Sequence, residues 1–308
     1  MSFLGRFSRT QLVIGGLITY ATGVSFALTF LPQKSIEQES DSSHGRFPTE
    51  STRQSTFDNL APGYDSEVRI HEYLLGIQRR RKRLLKNAKG RVLEIASGTG
   101  RNIDFYPKGC CSEIVFSDFS EGMMEVLKDK VAKSELGKRF DYQMRRQQQL
   151  ELERIAYSTK MASAAAGTSA TTTPGTNAVN QGQEAESNAV VETRIGFKTM
   201  NAAAIPYPDQ SFDTIVDTFG LCSFEEPVKV LQEMKRVLKP GGQLLLLEHG
   251  NSNWKAMQDM QASKLDRHVH KYGCYWNREI EDLVVEAGLK IKEKERSQLG
   301  TVYYMVLE

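Results

Sequence analysis

The chain has 308 residues, of which 40% are hydrophobic and 25% charged, a size and composition that fit one α/β domain with additional segments. Its 40 lysines and arginines nearly balance its 38 aspartates and glutamates, which excludes a strong overall field attracting nucleic acid. The cysteines include no C-x-x-C pair, which argues against both a disulfide framework and a metal site. They are Cys110, Cys111, Cys222 and Cys274.

The N-terminal region contains a long apolar segment. Gln11 to Leu31 has 21 positions without a charged residue or a histidine, and a helix of this length covers about 30 Å, one bilayer core. We interpret it as a single transmembrane helix that attaches the chain to a lipid bilayer. A cleaved signal peptide, with its shorter apolar core, and a buried helix are the alternatives. Residues 1–10 form a short basic flank.

Two further segments lack the pattern of a folded element. Residues 32–53 are polar and have no periodic apolar face, so we expect a tether between the membrane and a domain at residues 54–308. The segment from about residue 160 to residue 192 is rich in Ala, Ser, Thr, Gly and Gln. Because long structureless loops are uncommon in compact domains, we expect a disordered insertion there.

Strand and helix patterns alternate in the rest of the chain, which predicts a doubly wound, Rossmann-like α/β fold with a seven-stranded, mostly parallel sheet. Helices are predicted at Glu121 to Lys133, at Pro227 to Leu238 and at Asn277 to Ala287, with Asn277 as the last one's N-cap. The predicted strands are Arg91 to Ile95, Glu113 to Ser117, Ile195 to Thr199, Asp213 to Phe219, Gln243 to Glu248, Lys290 to Glu293 and Thr301 to Leu307.

A glycine turn follows the first predicted strand, at Glu94 to Gly100 (EIASGTG). Glycines permit a tight turn and a close approach of backbone to ligand, and amides at the start of a following helix can donate to it. A G-x-G alone is a weak signal. The dinucleotide fingerprint needs a third small residue where this chain has Ile103, which disfavours NAD.

Asp118 follows the second predicted strand. In a doubly wound sheet this position presents a carboxylate to the ribose hydroxyls of a nucleotide. An Asp that caps the helix beginning near Ser120 is an equally good interpretation of the position alone. Both alternatives are open at this point.

Five stretches, in this order, resemble the class I S-adenosylmethionine (SAM)-dependent methyltransferases of the UbiE-like group. They are FDNLAPGYD (57–65), VLEIASGTG (92–100), FSDFSEGMM (116–124), NAAAIPYPDQSFD (201–213) and EMKRVLKPGGQLLLLEHG (233–250). The N-terminal anchor and the LCS (221–223) and LEH (247–249) stretches are most similar to membrane-anchored methyltransferase-like proteins and to fungal mitochondrial methyltransferases of the oxidase-mutant-suppressor type. The resemblance implies SAM as the cofactor and the mitochondrial inner membrane as the location, with the endoplasmic reticulum membrane as the alternative.

The resemblance also implies which residues contact SAM. The glycine turn would surround the methionine half, Asp118 would bind the ribose hydroxyls, and Phe119 would lie against adenine. Ala96 and Asn201 depart from the group, in which many members have Gly and Asp. The expected cofactor residues are Tyr64, Glu94, Ala96, Ser97, Gly98, Gly100, Asp118, Phe119, Asn201 and Ala202.

Methyl transfer from a sulfonium depends mainly on aligning the acceptor and excluding water. A base is needed only if the acceptor carries a proton, and the candidates are Glu248 and His249 at the end of the fifth predicted strand. Alternatively, His249 bonds a loop carbonyl. The segment with Tyr272, Tyr275 and Trp276 can line an acceptor pocket or pack in the core.

We therefore expect a membrane-anchored methyltransferase for a small hydrophobic acceptor, such as a quinone-like carbon, a thiol or a hydroxyl. The alternative is a SAM-binding assembly or scaffold factor of a membrane complex without turnover, because a fold does not guarantee activity. The basic run Arg79 to Arg83 is interpreted as a solvated helix face or a lipid headgroup contact. Nucleic acid is not an expected partner, since no aromatic residues interleave with these charges.

Overall fold

The computed structural model describes residues 49–139 and 193–308. The basic flank, the predicted transmembrane helix at Gln11 to Leu31 and the predicted insertion at 160–192 lie outside these ranges. Within them, no helix combines the length and the apolar composition needed to cross a membrane. The first described helix begins at Glu50, among the last residues of the predicted tether.

The strands form one seven-stranded sheet in the order β3-β2-β1-β4-β5-β7-β6. The first five in this order run parallel, and β7 pairs antiparallel with both β5 and β6. This confirms the prediction of a Rossmann-like, mostly parallel sheet. The strands are β1 (Gly90–Ile95), β2 (Cys111–Asp118), β3 (Arg194–Thr199), β4 (Phe212–Thr218), β5 (Leu238–His249), β6 (Ile291–Ser297) and β7 (Val302–Leu307).

Helices cover both faces of the sheet. The prediction for Glu121 to Lys133 is confirmed, with Ser120 as the N-cap whose side chain accepts from the amide of Met123. The described helices are α1 (Glu50–Leu60), α2 (Tyr64–Leu74), α3 (Ile77–Leu85), α4 (Glu121–Lys133), α5 (Pro227–Val237), α6 (Lys255–Ser263), α7 (Leu265–Tyr272) and α8 (Ile280–Glu286).

Two local predictions were wrong. A full helix does not follow the glycine turn, where a short 3₁₀ segment covers Ile103–Phe105. Tyr106 takes an extended conformation because Pro107 follows it. Asn277 is not the cap of α8, whose N-cap is Glu279. Asn277 lies in a turn before the helix, and the carbonyl of Arg278 accepts the amide of Asn251 at 2.8 Å.

The core consists of two apolar layers, one on each face of the sheet. The consecutive leucines of β5 divide between them: Leu244 and Leu246 pack in the layer with α5 and α8, and Leu245 and Leu247 in the layer with α3 and α4. A parallel strand buried on both faces requires such a continuous apolar run. The centre of the sheet is therefore buried on both faces. Because β1, β2, β4 and β5 are parallel, the loops that follow them lie at the same edge.

Candidate active site

A cleft with a volume of about 980 Å³, part of it open to solvent, lies at this edge of the sheet. Its walls come from α1, α2 and the loops that follow β1, β2, β3 and β4. Eight of the ten expected cofactor residues line it: Tyr64, Ala96, Ser97, Gly98, Asp118, Phe119, Asn201 and Ala202. Glu94 and Gly100 lie behind this lining.

The glycine turn needs left-handed backbone conformations at three positions. Gly98 and Gly100 have φ of 53° and 78°, which glycine adopts without a steric penalty. A Cβ at Gly100 would lie 2.5 Å from the side chain of Ile103, whereas one at Gly98 would meet nothing within 4 Å. The backbone at Gly98 is therefore open to a ligand. Ala96 has φ of 46°, a strained value for a residue with a Cβ, where many UbiE-like members have glycine.

Asp118 closes this turn from the neighbouring strand. Its Oδ2 accepts the amide of Gly98 at 2.8 Å, and its Oδ1 accepts the amide of Ser120 at 2.9 Å. Burial raises the pKa of the Asp118 carboxyl despite these bonds. Since Ser120 supplies the cap of α4, the interpretation of Asp118 as that helix's side-chain cap was wrong.

Glu94 is fully buried beneath the turn. Its carboxyl accepts hydrogen bonds from the hydroxyl of Tyr106 and, at 3.2 Å, from the amide of Asn102. Burial raises the pKa of the Glu94 carboxyl to about 7, partly offset by these donors. The side chain is positioned to support the turn from below, since it does not line the cleft.

Arg81 is a cleft residue that the sequence analysis missed. Its Nη1 donates to Asn102 Oδ1 at 3.0 Å and to Thr218 Oγ1 at 2.6 Å, and its Nη2 donates to Glu72 Oε1 at 2.8 Å. The solvated-face interpretation of the basic run is therefore wrong for Arg81, which is 4% exposed. Helical spacing was the missed signal, because Arg81 lies four residues after Ile77 on the buried face of α3.

Two expected cofactor residues of the cleft lining, Tyr64 and Asn201, have different surroundings. Tyr64, the first residue of α2, has its hydroxyl buried, and this burial raises its pKa. Asn201 is exposed, and its Oδ1 accepts the amide of Ala203 at 2.8 Å. Because the side-chain oxygen of Asn201 already accepts this hydrogen bond, the side-chain NH₂ group is the part of Asn201 that is free to donate to a ligand.

The two candidate bases do not line the cleft. Glu248 is fully buried, and its two carboxylate oxygens accept the amides of Phe219 and Leu221, each at 3.1 Å. Burial, followed by the nearby Asp217, raises the pKa of the Glu248 carboxyl. The ring of His249 contacts that of Phe219, which does line the cleft, at 4.4 Å between centroids. The catalytic roles of Glu248 and His249 stay predictions.

The aromatic segment after α7 packs outside the cleft lining. The ring of Trp276 stacks on His268 at 4.0 Å between centroids, and its Nε1 donates to the carbonyl of Gln261 at 3.1 Å. Tyr272 donates to Glu67 at the surface. Neither these two aromatic residues nor Tyr275 lines the cleft, and none of the three belongs to the buried core, so neither an acceptor pocket nor core packing describes them.

The fold brings two cysteines next to His249. One ligand atom each from Cys222, His249 and Cys274 lies within 4.8 Å of the others. The expectation that the cysteines do not form a metal site was based on spacing along the chain. It did not consider residues that converge from three separate elements.

The cleft suits SAM. The open space at Gly98 admits a ligand against the backbone, and a carboxylate has about four lone-pair positions. Two of these positions on Asp118 accept amides, which leaves acceptors for two hydroxyls of a ribose. Apolar side chains of Phe119, Met123 and Met200 line the cleft nearby.

Comparisons with known proteins agree with this geometry. The chain is 28% identical over 250 residues to the mitochondrial methyltransferase OMS1 of Saccharomyces cerevisiae. The aligned region covers 81% of this chain and 45% of OMS1. It is 29% identical over 216 residues to the demethylmenaquinone methyltransferase of Renibacterium salmoninarum, with 68% and 64% covered. It is 46% identical over 67 residues to the ubiquinone/menaquinone biosynthesis C-methyltransferase UbiE of Pseudoalteromonas translucida, with 22% and 27% covered. The chain thus spans less than two thirds of the length of these relatives.

Solved structures share the fold. The [4+2]-cyclase SpnF matches with a TM-score of 0.52 at 16% identity, covering 83% of this chain and 78% of SpnF. A SAM-dependent methyltransferase of Leishmania major matches with a TM-score of 0.51 at 10% identity, covering 84% and 82%. A family model described as a methyltransferase domain matches residues 68–294. The chain therefore belongs to the methyltransferase domain family, and its cofactor is SAM.

Proposed function

We propose that this protein transfers the methyl group of SAM to a small hydrophobic acceptor at a membrane. The observation that carries the proposal is the pairing of Asp118 with Gly98 at the bottom of the cleft. Two acceptor positions of the Asp118 carboxylate remain free there, next to the open backbone at Gly98. SAM, when bound, supplies a methyl group on a positively charged sulfur.

The chain's own residues would hold and shield the reactants. Asp118 would accept the ribose hydroxyls, and the turn from Ala96 to Gly100, supported from below by Glu94, would surround the methionine half. Phe119 would lie against adenine, with Asn201 and Ala202 at its edge. Tyr64 would cover the sulfonium, since α2 begins at the wall of the cleft.

The proposed catalysis is mainly positioning, because aligned reactants gain several kcal/mol, about 7 or more in the best cases. Helices α1 and α2 contribute Phe57 and Tyr64 to the lining and so exclude water from one side. A proton acceptor is needed only for an acceptor that carries a proton. His249, beside the lining residue Phe219, is the better placed of the two candidates, since Glu248 uses both oxygens on backbone amides.

A hydrophobic acceptor is supported by the outer face of α2. Ile70, Tyr73 and Leu74 are 59%, 72% and 42% exposed, and clustered exposed apolar side chains mark protein or membrane contacts. The next helix, α3, exposes the basic residues Arg79 and Lys82, which anionic headgroups attract. We infer that this surface meets a lipid bilayer and that the acceptor enters the cleft from there.

The names of the relatives support a quinone-like carbon as the methyl acceptor. Thiols and hydroxyls are the other acceptor classes of this proposal. Demethylmenaquinone and ubiquinone/menaquinone methyltransferases are among these relatives. OMS1 is named as mitochondrial, which supports the mitochondrial inner membrane over the endoplasmic reticulum. In this proposal the basic flank (1–10), the transmembrane helix (11–31) and the tether (32–53) hold the catalytic domain (54–308), with its insertion at 160–192, at the bilayer.

A transfer assay tests the proposal. Membranes from cells lacking the protein are incubated with methyl-labelled SAM and the purified full chain, and lipid-soluble products are separated and counted. We expect labelled product with the natural chain and none with Asp118→Ala. Binding of SAM without any labelled product would instead support a scaffold function in a membrane complex.

A further inference from the structure

Three potential metal ligands converge beside the cleft. Cys222 follows β4, His249 is the last residue of β5, and Cys274 comes after Gly273, the C-cap of α7. Their ligand atoms all lie within 4.8 Å of one another, and Cys274 Sγ is 3.9 Å from His249 Nδ1. Both cysteines are buried as free thiols.

Two hydrogen bonds next to the ligands fix this arrangement. The carboxylate of Glu248, the residue before His249, accepts the amide of Leu221, the residue before Cys222, at 3.1 Å. The amide of Tyr275, the residue after Cys274, donates to the carbonyl of Cys222 at 2.8 Å. Each ligand is therefore one residue from a bond that ties its segment to another ligand's segment, so the three are held together before any ion binds.

The type and spacing of these groups fit zinc. Two cysteines and one histidine form a ligand set of zinc enzymes, in which water or substrate takes the fourth position. Tetrahedral zinc with Zn–S distances of about 2.3 Å separates two sulfurs by about 3.8 Å. Ligand atoms within 4.8 Å reach this geometry through shifts of about 1 Å. Two thiolates also neutralise the ion, which lowers the cost of burying its charge.

We propose that Cys222, His249 and Cys274 bind one Zn²⁺ ion and leave its fourth coordination position open. Gly220 and Ser223, on either side of Cys222, line the cleft, and the His249 ring contacts the lining residue Phe219. The ion thus lies next to the cleft. Its open position takes water or an oxygen or sulfur atom of a bound molecule.

A disulfide between Cys222 and Cys274 is the competing chemistry. It would need the sulfurs to approach to about 2.05 Å, and His249 would keep the lone pair that its candidate role as a base requires. The zinc proposal uses all three side chains and excludes that role, because the imidazole nitrogen that binds zinc gives up this lone pair. The two possibilities differ in a measurable way, because zinc binding keeps both thiols reduced.

Metal content of the full chain in detergent tests the proposal. The chain is produced with zinc in the medium and dialysed, and zinc is counted by mass spectrometry. We expect about one zinc per chain, and a loss of affinity of at least about 100-fold in Cys222→Ser and in Cys274→Ser, since even outer-sphere changes at metal sites cost 10- to 100-fold. The matched controls are Cys110→Ser, at an exposed thiol, and Cys111→Ser, at a buried one, which should retain the zinc.

Two measurements on the natural chain cover the case in which a cysteine variant does not fold. Replacement of zinc by Co²⁺ should give the near-ultraviolet absorption of a cobalt–thiolate bond and the visible bands of a tetrahedral site. Zinc should also raise the melting temperature of the chelator-treated chain. The proposal is overturned if the natural chain retains no zinc and gives no cobalt–thiolate absorption, or if counting of free thiols without reductant shows that two of the four are oxidised to each other.

Discussion

Asp118 Oδ2 lies 2.8 Å from the amide nitrogen of Gly98, and this hydrogen bond joins the end of β2 to the turn that leaves β1. Because Oδ1 accepts the amide of Ser120, both oxygens have fixed orientations. The carboxylate therefore already points its remaining acceptors in defined directions before a ligand arrives. Preorganisation of this kind reduces the cost of binding.

Replacing Asp118 by alanine should abolish tight SAM binding. A hydrogen bond to a charged group contributes about 1.5–3 kcal/mol, so loss of two bonds to the ribose lowers affinity by at least about 100-fold. Isothermal titration of the full chain in detergent measures this change. Asp129→Ala, at an exposed position of α4, is the matched control. Unchanged SAM affinity in Asp118→Ala would remove this carboxylate from the cofactor site.

Glu248 is expected to act by positioning the loop after β4. In Glu248→Gln one carboxylate oxygen becomes an NH₂ group, which faces a backbone amide donor that the natural side chain accepted. An unsatisfied buried donor costs about 1–3 kcal/mol, so the free energy of unfolding in urea should fall by that amount. Glu286→Gln, at an exposed position, should leave it unchanged. A lower kcat in Glu248→Gln at full stability would instead support a role as a catalytic base.

The fold could be predicted because its central strands are short apolar runs separated by recognisable helices. Such strands are buried on both faces, as the leucines of β5 illustrate, so their patterns are strong. The errors were the helix expected after the glycine turn, which is a short 3₁₀ segment, and the ends of some segments. The fifth strand was predicted to begin at Gln243, yet β5 begins at Leu238, and its register with β4 shifts near Phe212.

The site could be predicted only where its residues follow one another in short motifs. Gly98 and Asp118 each follow directly after a strand, and the edge of the sheet brings them together. Arg81 was hidden in a run of basic residues whose other members are mostly exposed. The approach of Cys222 to Cys274 depends on the tertiary structure, and no pattern along the chain encodes it.

Glu94 should make the stability of the protein depend on pH. The folded state raises its pKa from 4.5 to about 7, so between these values the folded chain binds more protons than the unfolded chain. This contribution is complete below pH 4.5, and it decreases as pH rises until it is lost above pH 7. A shift of this size corresponds to about 3 kcal/mol.

The comparison of Glu94→Gln with the natural chain isolates this effect. The glutamine has no charge to bury, so the natural chain should lose up to about 3 kcal/mol relative to the variant between pH 5 and pH 8. Urea unfolding at several pH values measures the difference. For Glu125→Gln, at an exposed position of α4, the free energy of unfolding should change with pH as it does in the natural chain. If the free energy of unfolding of Glu94→Gln also had the same pH dependence as the natural chain, Glu94 would not titrate in this range.

The apolar face of α2 should contact lipid in the intact protein. Ile70 is 59% exposed on this helix, whereas Val285 is 65% exposed on α8, so the two form a matched pair of branched apolar residues. Burying such a side chain gains about 1.5–3 kcal/mol, which favours insertion at position 70 if α2 lies against the bilayer. Ile70→Cys and Val285→Cys, each combined with Cys110→Ser, accept a nitroxide label at the new thiol.

Electron paramagnetic resonance of the full chain in liposomes then measures how oxygen, which concentrates in lipid, and a water-soluble nickel complex relax each label. We expect oxygen to dominate at position 70 and the nickel complex at position 285, because only α2 begins at the cleft wall with Tyr64 and continues to an exposed apolar face. Equal ratios at the two positions would mean that α2 faces water and that a hydrophobic acceptor enters the cleft by another route.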